Sequence, residues 1–214
     1  MISPADRKIL RDVARRIADI ATLPEMARRR RRWVEHNSLR SRRPMMLIFP
    51  EGSWIELLND STLSCESKEA RRIEWQLRSR IYTFEHFQDD TVCEKEWVVS
   101  KVVRDTGWGL RPRRIESPAQ RGAWHFDPVL VEFSDLKKMR HPELTYDEKA
   151  SLTNLQAAQD LFGDILDVQL HGFAHISFHL MNQLTGLRGL EEVMVDMCEN
   201  PGFLHDAMAF LEAG

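Results

Sequence analysis

The reading of the fold turns on Ile165-Leu166-Asp167-Val168-Gln169-Leu170-His171-Gly172-Phe173-Ala174-His175-Ile176-Ser177-Phe178-His179-Leu180-Met181. Ile165 to Leu170 is a short apolar run with the length of a strand, His171 and Gly172 make a turn, and a helix is expected from about Ser177. Strand, turn and helix in that order is the unit of parallel α/β folds, and chemistry is placed at the carboxyl ends of such strands. Three histidines fall there: His171, His175 and His179. On one helix, His175 and His179 would share a face, the spacing with which two imidazoles grip a metal. His171 or Glu51 would be the third ligand. No glutamate follows His175, as a zinc-protease motif would require, so no metal is assigned. The other reading is a polar pocket lining, or an imidazole satisfied within the core.

Working upstream, Thr145-Tyr146-Asp147-Glu148 reads as a capping box. Leu152, Leu155, Ala158 and Phe162 then form a helical stripe closed by Gly163. Downstream, Leu190, Val193, Met194 and Met197 form another stripe, and Asn200-Pro201 starts a last helix through Leu204, Met208 and Leu211. Met45 to Phe49 is a second continuous apolar run, as expected of a parallel strand covered on both faces. Its loop, Pro50-Glu51-Gly52-Ser53-Trp54, would open on the same rim as the histidines. A long helix is expected over Ser67 to Phe87, from Ile73, Leu77, Ile81 and Phe84. One or two strands are expected over Thr91 to Val103. Asp89-Asp90 between them are either a solvated turn or a carboxylate pair in which one member becomes a general acid. The segment holding Gly107-Trp108-Gly109 and Gly122-Ala123-Trp124-His125-Phe126-Asp127-Pro128 has little periodicity. It is either a ligand-binding loop over the site, or a loop sealed to the core by Trp108, Trp124 and Phe126.

The chain resembles the uroporphyrinogen decarboxylase superfamily in several of these stretches. The family's strand–turn–helix pattern runs roughly G-F-x-G-x-P-[FW]-T-L. Gly172, Phe173, Phe178 and Leu180 fit it, while His175, Ser177 and His179 stand at its second Gly, its Pro and its Thr. Asp135-Leu136-Lys137-Lys138-Met139 resembles the family's D-L-x-K-L segment, and Arg43-Pro44 precedes the first apolar run as in the family. The Gly-Trp-Gly and Gly-Ala-Trp-His-Phe-Asp-Pro stretches are similar to those of its larger branch. Where the decarboxylases carry arginines for substrate carboxylates, this chain has Glu51 and Trp54. The resemblance runs from Arg43 onward and matches the first half of the family's barrel. It implies an α/β fold: a partial (β/α)8 TIM-type barrel of parallel strands with outer helices over 44–214, plus a basic helical N-terminal extension over 1–43.

The resemblance further implies part of a methyltransferase acting with a corrinoid or thiol methyl carrier. The alternatives are decarboxylation of a small acid or tetrapyrrole, and a non-catalytic half barrel that binds or assembles. Corrinoid or zinc would enter with the family's second half, which carries its His-x-Cys zinc ligands. A partial barrel leaves open strand edges, so self-association or a C-terminal barrel half is expected, along with a small-molecule or corrinoid-protein partner. In this reading Glu51 and His175 move protons. Trp54 and Trp124 offer flat apolar surface to a ring-shaped or methylated ligand, and Asp89, His125, Asp127, His171 and His179 complete the substrate site.

Composition sets the outer limits. The chain has 214 residues and a formal net charge of −3, which favours neither nucleic acid nor a membrane surface. Residues 1–43 hold thirteen Lys/Arg against five Asp/Glu, so the remainder is acidic. The run Arg28 to Arg32 is either an anion patch or a solvated helix end docked on that remainder. Ser3-Pro4-Ala5-Asp6 starts an amphipathic helix over 4–21, with Ile9, Val13, Ile17 and Ile20 on one face, and a second helix is expected over Pro24 to His36. No apolar stretch suits a membrane span and no secretory signal precedes the first helix. The three scattered cysteines fit a reducing compartment. A cytoplasmic location is therefore expected.

Overall fold

A computed structural model describes residues 2–41, 43–118, 122–173 and 179–214. In chain order its main elements are α1 (Pro4–Ala21), α2 (Pro24–Asn37), α3 (Trp54–Leu57), α4 (Lys68–Tyr82), β1 (Glu96–Ser100), β2 (Val102–Asp105), β3 (Arg113–Ile115), β4 (His125–Asp127), β5 (Leu144–Asp147), α5 (Glu148–Phe162), β6 (Asp167–His171), α6 (Leu180–Arg188), α7 (Leu190–Glu199) and α8 (Pro201–Glu212). They form two compact units. The first combines residues 1–100 with 149–171, and the second combines 101–148 with 172–214.

The barrel expectation is overturned. Helices dominate, and the six strands among the described residues pair only in twos: β1 with β6, β2 with β5, β3 with β4. The expected strand at Met45–Phe49 does not form. Its amides find side chains instead of a neighbouring strand. The Met46 N–H donates to the Asp90 carboxylate and the Ile48 N–H to the Asp89 carboxylate, both at 2.9 Å. The Asp90 amide returns one backbone bond to the Met46 carbonyl at 2.9 Å, but no strand ladder continues from it. The strand read at Ile165–Leu170 begins instead at Asp167, since the Ile165 and Leu166 amides turn back to the Phe162 carbonyl.

In the first unit, α1 starts as expected: the Ser3 hydroxyl accepts from the Asp6 amide at 3.0 Å, with Pro4 following. Leu10, Ala14, Ile17 and Ile20 of α1 pack with Ala70 and Leu77 of α4 and with Phe162, Ile165 and Leu166. The basic N-terminal segment is thus built into this core. Arg11 ties α1 to the end of α5, donating to the Leu161 carbonyl at 2.8 Å and to Asp164 at 2.7 Å. β1 and β6 run parallel, with Glu96 opposite Asp167 and Ser100 opposite His171. Trp97 and Val168 face the core, and the Trp97 ring lies 5.1 Å from that of Phe162. Burial alternates along β6, so only one face of the pair is covered.

In the second unit, α6, α7 and α8 bury Leu184, Leu187, Val193, Phe203, Ala207 and Leu211 with Leu130 and Met139. The residues read as a capping box are a strand: Leu144–Asp147 pairs antiparallel with β2, and the helix begins at Glu148. Gly107 and Gly109 both have positive φ, and a Cβ on Gly109 would meet the Lys138 carbonyl oxygen at 2.8 Å. Trp108 between them packs against the core beside Phe210. Among the described residues no helix is long and apolar enough to cross a membrane.

Candidate functional site

Four of the residues read as a site lie in the first unit: Glu51, Trp54, Asp89 and His171. Glu51 begins a 3-10 turn and sits exposed with φ +48. Trp54 is held in an aromatic cluster, edge-on to Trp75 at 5.7 Å and to Tyr82 at 5.8 Å, with Phe87 tilted against it at 5.9 Å. That packing leaves the indole little free face for a ligand. Asp89 is buried, and its oxygens accept from the Ile48 amide, the Thr91 amide and the Thr91 hydroxyl. Its neighbour Asp90 accepts from the Met46 amide at 2.9 Å and is gripped by both terminal nitrogens of Arg43. That guanidinium, with the Met46 amide, lowers the Asp90 carboxyl to about 2 despite its burial. The acidic pair is a clasp for residues 43–48, and Asp90, held at about 2, offers no titrating proton at neutral pH.

His171 ends β6 with its imidazole half exposed, its Nε2 3.3 Å from a Glu96 carboxylate oxygen. Both lie on the uncovered side of the β1–β6 pair, as do Ser100, Gln169 and the exposed Val98 between them. Because the strands are parallel, Ser100 and His171 end at the same edge. An imidazole beside a carboxylate, open to solvent, is able to accept and return a proton.

The other described candidates lie in the second unit. Trp124 is largely exposed, edge-on to Phe126 at 4.9 Å, with the Arg114 guanidinium 4.3 Å above its ring. His125 pairs across the hairpin with Ile115, and its side chain is exposed. Asp127 is bound to Arg113 at 2.7 Å across the same hairpin. His179 stands exposed just before α6 and makes no side-chain cap. The helix was expected from near Ser177, but α6 begins at Leu180, beyond His179. The assignments on His175 fall outside the described residues. Trp124, His125 and Asp127 thus share one hairpin, whereas Glu51, Trp54, Asp89 and His171 belong to a different unit.

Among the described residues, no three His, Cys, Asp or Glu side chains converge to hold a metal ion. Cys65 is no thiolate donor, since burial first, and then Glu74, push its thiol up to about 12. Two features were not picked out as sites in the sequence. The aromatic cluster on Trp54 could have been suspected from Trp75, Tyr82 and Phe87 along one helix and its extension. The other is an arginine-lined cleft beside α2, which the sequence offered only as one of two readings of the run Arg28 to Arg32. Comparison with family models, with curated proteins and with solved structures finds no match for the chain.

Proposed function

We propose that this chain is a uroporphyrinogen decarboxylase-like protein that forms part of a methyltransferase acting with a corrinoid or thiol methyl carrier. One observation carries the reading. The strand that leads into the Gly172-Phe173 motif runs parallel to β1 and ends on His171, whose imidazole meets Glu96 at 3.3 Å on an open strand face. Methyl transfer to a thiol needs an acceptor for the thiol proton, and an exposed imidazole is able to be one. His171 would take the proton of the thiol, and a corrinoid, when bound, would supply the methyl group to the resulting thiolate and keep the electron pair of its broken bond. Zinc, if used, would polarise the thiol. We assign the proton step to His171, with Glu96 holding the imidazole.

The test is methyl transfer from methylcobalamin to a small thiol such as 2-mercaptoethanesulfonate, followed by the absorbance change on demethylation. The expected result is a protein-dependent rate that falls on the acid side, where the proton acceptor is already protonated. His171→Ala should reduce that rate at least tenfold, and Glu96→Gln should move the acid limb. A rate no greater than that of buffer, or one indifferent to His171, overturns the reading.

A further inference from the structure

We infer that the cleft at the carboxyl end of α2 binds the polyphosphate group of a small organic ligand through Arg31, Arg32 and Arg40. The cleft has a volume of about 700 Å³ and is lined by these three arginines together with Arg43, Glu35 and Ser41.

The ordinary account of arginines at a helix end is that they pair with carboxylates or cap the last carbonyls. Their neighbours do the first: Arg29 binds Glu25, Arg30 binds Glu94, and Arg43 binds Asp90. Among the described residues, Arg31, Arg32 and Arg40 close no ion pair, and Arg32 feels Asp90 only at longer range. Nor are they needed as caps, because the chain closes the helix itself. The Ser38 amide and hydroxyl donate to the Val34 carbonyl, the Leu39 amide to His36 and the Arg40 amide to Glu35. Leu39 takes φ +56 to make this closure. It turns the chain back so that Arg40 and Ser41 line the same cleft as Arg31 and Arg32 on α2.

Arg31, Arg32 and Arg40, with Arg43, outnumber the single Glu35 carboxylate of the lining, so their guanidiniums repel one another and the cleft is positive. A compact group with several negative charges relieves that repulsion, and planar guanidinium forks match phosphate oxygens two at a time. The remaining lining suits the rest of such a ligand. Val34 and Met45 give an apolar wall, and Glu35 is an acceptor for a hydroxyl.

Calorimetric titration of the full chain tests this, with inorganic tripolyphosphate and adenosine triphosphate as probes and citrate as comparator. Saturable one-to-one binding of either phosphate probe is expected, weakened by added potassium chloride. If adenosine triphosphate binds more tightly, the ligand carries its phosphates on an organic body; equal affinities mean that the phosphates alone are read. Arg31→Gln, Arg32→Gln and Arg40→Gln should each weaken binding about tenfold, the loss of one charge-assisted contact. Arg28→Gln, on the same helix but outside the cleft, should leave it within about twofold on the same scale. Absence of saturable binding overturns the proposal, as does an equal loss with Arg28→Gln. Citrate as tight as tripolyphosphate overturns the phosphate assignment. Tighter binding of a single-stranded RNA, with all four arginines contributing alike, makes the surface a nucleic-acid footprint and overturns the small-ligand site.

Discussion

Replacing Asp90 by Asn removes a charge at the clasp of the first unit while keeping an oxygen for the Met46 amide. The native carboxylate is nearly enclosed, with 9% of its side chain accessible, and it is bound by both ends of Arg43. A carboxyl held at about 2 rather than at its ordinary 3.8 is stabilised in the folded state by about 2 kcal/mol. Arg43 is 47% accessible, so solvent screens the pair and about 1 to 1.5 kcal/mol should remain. The sign follows from the depressed value. The contribution is complete above pH ~4, where the unfolded chain is ionised, and is lost as the pH falls through about 2. Urea unfolding at pH 7 should therefore show Asp90→Asn less stable by about 1 to 1.5 kcal/mol, with a smaller deficit near the acid end. Asp135 and Asp164 are also held at about 2, so wild type and variant must be compared at each pH rather than through the acid limb alone. Combining Asp90→Asn with Arg43→Met closes a double-mutant cycle, and coupling of about 1 kcal/mol is expected. An equal deficit at both pH values, or no coupling with Arg43, would refute the electrostatic account and leave Asp90 a mere acceptor for one amide.

Two further outcomes follow from the same kind of reasoning. Leu39 is almost fully exposed in a left-handed conformation, so Leu39→Gly should raise stability by about 0.5 to 1 kcal/mol, read as a higher urea midpoint. In the second unit, Asp196 is buried and holds Arg188 at 2.7 Å, while Arg188 also donates to the Leu130 and Val131 carbonyls. Asp196→Ala leaves that guanidinium anchored and unpaired, so a loss of about 3 to 5 kcal/mol in thermal unfolding is expected, and a loss under about 1 kcal/mol would contradict it.

Helices were legible because their signals are local. Ser3-Pro4 and Pro24 mark starts, and the apolar spacing of α1 and α4 points to faces that are in fact buried. The strands were less so, because pairing depends on residues far away. Met45 to Phe49 has a strand's composition, but its amides go to Asp89 and Asp90, a choice invisible in the apolar run itself. The stripe of α7 misleads in another way: Val193 is buried while Leu190, Met194 and Met197 face outward. Periodicity reports a helix but not which side is covered. The site residues were chosen for chemistry, and hydrogen bonding altered that picture. Asp89 and Asp127 already have protein partners, Trp54 is walled in by rings, and His171 keeps an open side. The arginine cleft could be seen only once partners were assigned to the neighbouring arginines, since a run of like charges does not announce which members are left over.

The first unit draws its core from both sides of residues 101–148, since Leu10, Ile17 and Leu77 close on Phe162, Ile165 and Leu166. On the ribosome, α1, α2 and α4 emerge long before the segment that completes their burial. Until residue 171 clears the exit tunnel, β1 has no mate and the apolar side of α1 lacks part of its cover. Early helices form locally, but the long-range closure sets the pace, as expected of contacts between distant segments. Nascent chains arrested before α5 should therefore be readily cut by protease in α1 and α4, and those arrested well past β6 should resist.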